Sequence, residues 1–252
     1  MSNDFYVGYL PLPQHHRRFL IVLLPVIGLL AVLVSFILSS QQSDPGDGNW
    51  DLASTTTLTG RVTVDPYPIL SVPGSEGAPE RQVLLITMGK VGGDGFTQPV
   101  AGEWITVTGY LIARDGRTML TVKHAPTDIT VAPNSPAREP RRTISLGRHR
   151  LRGEIIDPKC YFGAMKPGEG KVHKACATLC IAGGIPPMFV TRSEAGERTY
   201  YLLTDSEGNG LRGDALEALL PFVADPVRIE GEVDRWGDLL VCRMDPGSVV
   251  RE

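Results

Sequence analysis

The sequence predicts a mainly β chain carried on one N-terminal membrane helix. Three observations predict it: an uncharged apolar run from Phe19 to Leu38, a turn-rich composition of 28 glycines and 20 prolines in 252 residues, and two stretches that repeat one strand-and-turn syntax. The rest of the composition, 42% apolar and 21% charged, excludes a disordered polyelectrolyte, a collagen and a coiled coil. A formal net charge of -3 excludes a chain built as a whole to bind nucleic acid.

The apolar run comes first. FLIVLLPVIGLLAVLVSFIL, residues 19–38, spans the roughly 30 Å hydrocarbon core of a bilayer at about 1.5 Å per residue. A membrane helix tolerates its Pro25 and Gly28. The apolar part of a cleaved signal peptide is only about 7–15 residues and ends at small residues in an A-x-A-like pattern. Here Ser39-Ser40-Gln41-Gln42 follows, so residues 19–38 are expected to stay in the lipid bilayer. His15, His16, Arg17 and Arg18 precede the run, while Asp44, Asp47 and Asp51 follow it and no Lys or Arg appears before Arg61. The positive-inside rule then places residues 1–18 in the cytoplasm and the rest outside it. The expected location is a bacterial inner (cytoplasmic) membrane, single-pass, with the C-terminal domains periplasmic or extracellular. The aromatic tail Phe5-Tyr6-Val7-Gly8-Tyr9-Leu10-Pro11 reads as an interfacial anchor or a contact with another membrane subunit. Residues 39–57 read as a polar tether.

The repeat comes next. One copy has Leu58-Thr59-Gly60-Arg61-Val62, then Arg81–Thr87, Trp104–Tyr110, a turn at Asp115-Gly116, and Thr118–Val122. The other has Leu151-Arg152-Gly153-Glu154-Ile155, then Thr199–Thr204, Val227–Val233, a turn at Trp236-Gly237-Asp238, and Leu239–Met244. Short alternating or apolar runs between turn residues read as hairpins and meanders. The in-strand glycines 60, 109, 153 and 231 mark the sharp bends or bulges of a small barrel. The second copy exceeds the first by about the length of Cys160–Pro187. The expectation is two small OB-like β-barrels, residues 58–123 and 148–252, the second with a cysteine-bearing helical insertion at 160–187. A short helix near Asp214–Leu220 has no assigned counterpart, and the Pro/Arg-rich stretch 124–147 is the linker.

Chemistry concentrates in the insertion, DPKCYFGAMKPGEGKVHKACATLCIAGGIPP. A helix over Val172–Ala182, stopped by Gly183-Gly184, carries His173, Cys176 and Cys180 at i, i+3 and i+7, within one arc of roughly 60°. Cys160 follows a predicted strand and is expected to close over that face, with Asp157, Met165 and Cys242 as additional candidates. Soft and borderline ligands of this kind suit a zinc, copper or iron centre. Two other readings stand beside it. An extracytoplasmic chain with four cysteines is by default a disulfide protein, and a bridge from Cys160 to Cys176 or Cys180 would staple the insertion to the barrel. A redox pair of Cys176 and Cys180 is the third, although C-x-x-x-C is not the thioredoxin spacing and no C-x-x-C-H haem attachment sequence is present. The chain has no G-x-S-x-G, no H-E-x-x-H and no phosphate-cradling glycine loop, so no catalytic residue is assigned. Arg138, Arg141, Arg142, Arg148, Arg150 and Arg152 form a basic stretch that reads as a solvated, charge-protected edge or as a dock for anionic lipid or an acidic partner.

The run G-x-x-x-D-x-x-C, then H-x-x-C-x-x-x-C-x-x-G-G, at Gly153 to Gly184, resembles a pattern in uncharacterised secreted or membrane-anchored bacterial proteins of OB-like fold. That resemblance implies fold and location for roughly the last 100 residues, without an activity. A single anchor carrying an OB barrel is also similar to the haem chaperone of cytochrome c maturation, with Lys123-His124 placed as that family's haem-binding histidine is. The family's nearby tyrosine is missing, since Ala125-Pro126-Thr127-Asp128 follows. The functional expectation is a membrane-anchored periplasmic binding or assembly module, accessory to a membrane redox or metalloprotein system. Its partners would be the lipid bilayer and a membrane-protein complex. The alternatives are a disulfide-stapled interaction scaffold and a thiol oxidoreductase.

Overall fold

The computed structural model describes residues 12–41, 48–74, 77–124, 127–132 and 141–252, in two compact units, Met1–Asp44 and Pro45–Glu252. The first holds α1 (Gln14–Ser40), 27 residues with none buried, whose most apolar 18 residues have a mean hydropathy of 3.0, long and apolar enough to cross a membrane. The aromatic segment Phe5–Pro11 lies outside the described residues, as do Arg138 and the prolines from 133 to 140.

The second unit is mainly β. Its first sheet contains β1 (Asn49–Trp50), β2 (Thr56–Thr63), β3 (Ile69–Val72) and β4 (Arg81–Thr87). The short α2 (Asp94–Thr97) follows, then β5 (Trp104–Arg114), β6 (Arg117–Val122) and β7 (Ile129–Val131). β2 pairs with β3, β3 with β4, β4 in parallel with β6, β6 with β5, and β5 again with β2, so the five strands close into a barrel. Asp115 and Gly116, both at positive φ, make the tight β5–β6 turn, which matches the right-handed twist of its strands. β1 and β7 add to β5. They lie in segments that read as tether and linker because strands of two and three residues are too short to show alternation.

The second sheet contains β8 (Thr143–Ile156), β9 (Met188–Arg192), β10 (Arg198–Thr204), β11 (Pro226–Trp236), β12 (Leu239–Met244) and β13 (Val250–Arg251). Its strand order is β12-β10-β9-β8-β11-β13, with β12 also paired to β11. α3 (Lys174–Ala182) lies between β8 and β9, and α4 (Gly213–Leu219) between β10 and β11. α2, before β5, holds the place that α4 holds before β11, so the helix near Asp214–Leu220 has a counterpart in the first copy. Gly60 on β2 and Gly153 on β8 are also equivalent. A Cβ would stand 2.2 Å from the Ser71 carbonyl oxygen in one and 2.0 Å from that of Val190 in the other, so the neighbouring strand leaves room only for glycine.

Three apolar clusters hold the unit together. Val62, Leu70, Val83, Leu85, Ile105 and Leu120 fill the first barrel. Leu151, Ile155, Phe189, Leu203, Val227, Ile229 and Cys242 form the core of the second sheet. The third joins the two, with Tyr67, Leu84, Ile86, Ile112 and Met119 on one side and Ile156, Cys160, Tyr161, Phe162, Cys180, Tyr200 and Leu202 on the other. This explains why β4 and β10 read as continuous apolar runs. Val83 and Leu85 face the barrel interior while Leu84 and Ile86 face the neighbouring sheet. Burying both faces removes the polar alternation.

Polar contacts fix the same junction. The buried Tyr67 hydroxyl donates to the Leu203 carbonyl at 2.9 Å and accepts from the Leu211 N–H at 2.8 Å. The Tyr200 hydroxyl donates to Asp115 at 2.6 Å, and Arg212 pairs with Asp94 at 2.8 Å. In the basic stretch, Arg148 and Arg150 pair with Glu230 across β8 and β11, and Arg152 with Glu252. Exposed pairs of this kind contribute about 0–1 kcal/mol each, so they neutralise the face more than they stabilise it. The Tyr67 contacts are the stronger restraint. Tyr67→Phe leaves a buried N–H and a buried carbonyl without partners and is expected to lower stability by about 1–3 kcal/mol. Denaturant unfolding of the detergent-solubilised chain checks this, as a lower midpoint at unchanged slope.

Candidate metal centre

β8 carries the chain into the junction, and at its end Asp157 is fully buried. One Asp157 carboxylate oxygen accepts the Lys159 backbone N–H at 3.0 Å, and Tyr161 N donates to the Asp157 carbonyl at 2.9 Å. This turn leads into a single π-helical turn, Cys160–Ala164. Extra width in a helical turn re-aims side chains, which is why such turns accompany sites. Here it sends Cys160, Tyr161 and Phe162 into the junction core.

α3 begins at Lys174, with His173 as its N-cap, two residues later than the pattern predicts. Glycines 168 and 170 keep the preceding segment in turns, and His173 N donates to the Gly170 carbonyl at 2.9 Å. The helix buries Ala177 and Ile181 in the second sheet's core and turns Cys180 to the junction core, with Cys176 one turn earlier. Lys174 anchors it from outside on Asp225 at 2.7 Å. The sulfurs of Cys160, Cys176 and Cys180 all lie within 4.8 Å of one another. Cys160 also belongs to a second set, with ligand atoms of Asp157 and His173 within the same 4.8 Å. Sequence spacing puts His173 on the face of Cys176 and Cys180; the structure brings it to Cys160 and Asp157. Met165 is 42% exposed. Cys242 lies in the second sheet's own core, and burial pushes its thiol up to about 12, which makes it inert. His124 is an exposed turn residue whose N–H donates to Asp128.

All four cysteines are free, so the expected bridge from Cys160 to Cys176 or Cys180 is not formed. Cys176 and Cys180 sit one turn apart on an intact helix, and Cys160 approaches them without reaching the roughly 2.05 Å of an S–S bond.

The first barrel supplies the roof. Its β4–α2 loop reaches α3, where Gly92 N donates to the Gly183 carbonyl at 3.1 Å. A Cβ on Gly183 would stand 1.8 Å from the Lys90 carbonyl oxygen, so glycine there permits the contact. Lys159, 3% exposed, holds the loop from beneath by donating to the carbonyls of Thr87 and Gly89, with its ammonium 5.2 Å from the Trp50 ring. The Lys90 ammonium thereby stands 2.8 Å from the Cys176 sulfur and 3.6 Å from that of Cys180. Sequence reading missed Lys90, Lys159 and Trp50. Lys159 is signalled only by adjacency to Cys160, and Lys90 only by its glycine-flanked loop.

The electrostatics follow from these contacts. The hydrogen bond between Cys160 and Cys180, with burial and the Asp157 carboxylate adding to it, raises the Cys160 thiol. The same bond lowers Cys180, against burial and Asp157. The proton is therefore held more tightly on Cys160 than on Cys180. The Cys176 hydrogen bond raises Lys90, keeping it an ammonium. Burial lowers Lys159 and His173, which favours a neutral imidazole free to act as a ligand. The arrangement provides three sulfurs, an imidazole and a carboxylate in a mostly buried site with one half-exposed sulfur, Cys176.

No family model, curated protein or solved structure matches this chain.

Removing the donor should show in the thiolate titration. Cys160→Ala is expected to move the Cys180 titration up in metal-free protein, read as ultraviolet thiolate absorbance against pH. Cys160→Ser, whose hydroxyl still donates, retains most of the depression. An Ala variant titrating like the parent would contradict the assignment.

Proposed function

We propose that this chain is a single-pass, membrane-anchored binding or assembly module whose folded part lies outside the cytoplasm and holds a thiophilic metal ion on Cys160, Cys176 and Cys180. For the anchor, the support is α1 and the charge asymmetry between Arg17-Arg18 and the acids after it. For the folded part, it is the pairing order. β8, β9, β10, β12 and β11 pair in the same circular sequence as β2, β3, β4, β6 and β5, with a helix at the same place. We read this as two OB-like barrels.

The observation that carries the metal reading is the sulfur trio. With metal–sulfur bonds of about 2.3 Å, three sulfurs on one ion stand up to about 4.0 Å apart, so a trio within 4.8 Å closes on an ion by moving inward by under about 1 Å. Thiols this close, outside the cytoplasm, are prone to bridge, and a bound ion protects them. Thiolates select zinc, copper(I) or iron. Half-exposed Cys176 offers a sulfur to an incoming or departing ligand, which suits an accessory that passes an ion to a membrane redox or metalloprotein system. A second reading, thiol exchange, is favoured by one contact, the Lys90 ammonium on Cys176 with Cys180 one turn away.

The test is metal content of the full chain purified in detergent without oxygen. The expected result is bound metal in the parent and in Cys242→Ser, with affinity lost by about 10–100-fold or more in Cys176→Ser, since a ligand matters at least as much as a second-shell partner. A parent that takes up neither zinc nor copper(I) but forms a mixed disulfide at Cys176 with oxidised glutathione would overturn the metal reading in favour of thiol exchange.

A further inference from the structure

We propose that the site takes two metal ions with the Cys160 sulfur as the bridge, a proposal that rests on the metal reading above. The outer ion binds Cys160, Cys176 and Cys180, and the inner one binds Cys160, His173 and Asp157.

The two ligand sets overlap at one atom, the Cys160 sulfur, and each set spans no more than 4.8 Å. The second set has its own reason to want a ligand. His173 Nε2 and Asp157 Oδ2 are buried and have no hydrogen-bond partner, in residues 2% and 0% exposed. Each such atom costs about 1–3 kcal/mol when unpaired. Two of them beside one thiol is an expensive arrangement unless a cation completes it. Both are held from behind. The other Asp157 oxygen is engaged by the Lys159 N–H, which fixes the carboxylate, and His173 is set by the Gly170 turn and by its carbonyl accepting from Ala177 N at 3.0 Å.

Charge chooses the kind of ion. Three thiolates and the Asp157 carboxylate face two ammoniums, Lys90 and Lys159, leaving an excess of two negative charges. Two monovalent ions neutralise that excess, whereas two divalent ions would bury a net positive charge. Copper(I) is monovalent, binds thiolate strongly and accepts imidazole. Each thiol releases its proton to solvent as it binds, and no change of oxidation state is involved. Cys176 is the half-exposed sulfur of the three, so it receives copper first and Cys160 passes it inward.

Anaerobic titration of the detergent-solubilised full chain with copper(I), against a chromophoric copper(I) chelator and with native mass spectrometry, tests this. The expected result is two copper ions per chain in the parent and one in both His173→Ala and His173→Gln. Saturation of the parent at one ion, or two ions retained in both variants, overturns the second position and leaves the sulfur trio standing. No copper or zinc bound by the parent overturns the metal reading itself.

Discussion

Lys159 brings an ammonium into the core and closes it on the carbonyls of Thr87 and Gly89. Burying a charge costs several kcal/mol unless its donors are satisfied. Two carbonyls and the face of Trp50 offset that cost here. The carbonyls belong to a loop of the first barrel, whereas Lys159 sits one residue before the first cysteine of the insertion. One contact therefore makes the insertion part of both halves. Together with the Gly92–Gly183 hydrogen bond, it holds the loop that carries Lys90 over Cys176.

A thiol cluster on a single α3 face would hold two sulfurs in solvent. The fold instead buries Cys160 and Cys180 between two sheets and leaves Cys176 half-exposed beneath a lysine. Burial resists oxidation, and the ammonium favours charge on the outermost sulfur. The His173–Asp157 pair also reaches Cys160, with one buried atom of each lacking a hydrogen-bond partner. The polarity of the site is therefore directional, from an exposed sulfur under an ammonium to a buried imidazole and carboxylate.

Much of this was legible in residue order. The apolar run gives α1, and the alternating strands with their glycines give most of the elements of the first barrel and of the second sheet. Cys176 and Cys180 at helical spacing give one face of the centre. β3 was missed because it is short and follows a proline, which reads as loop. The partition of His173 was missed because helix α3 starts after it, and a residue at an N-cap does not continue the helical phase. Lys90 was beyond reach, since it meets Cys176 across 86 positions and only the docking of the two halves brings them together. The expectation of a bridge from Cys160 to Cys176 or Cys180 came from compartment rather than geometry, and the three sulfurs lie close together unbonded.

The central claim is that three sulfurs of this chain share one metal ion. X-ray absorption at the edge of the bound metal, on full chain purified from membranes, tests it most directly. The account predicts a first shell dominated by sulfur at about 2.3 Å. A first shell of nitrogen and oxygen alone would contradict it.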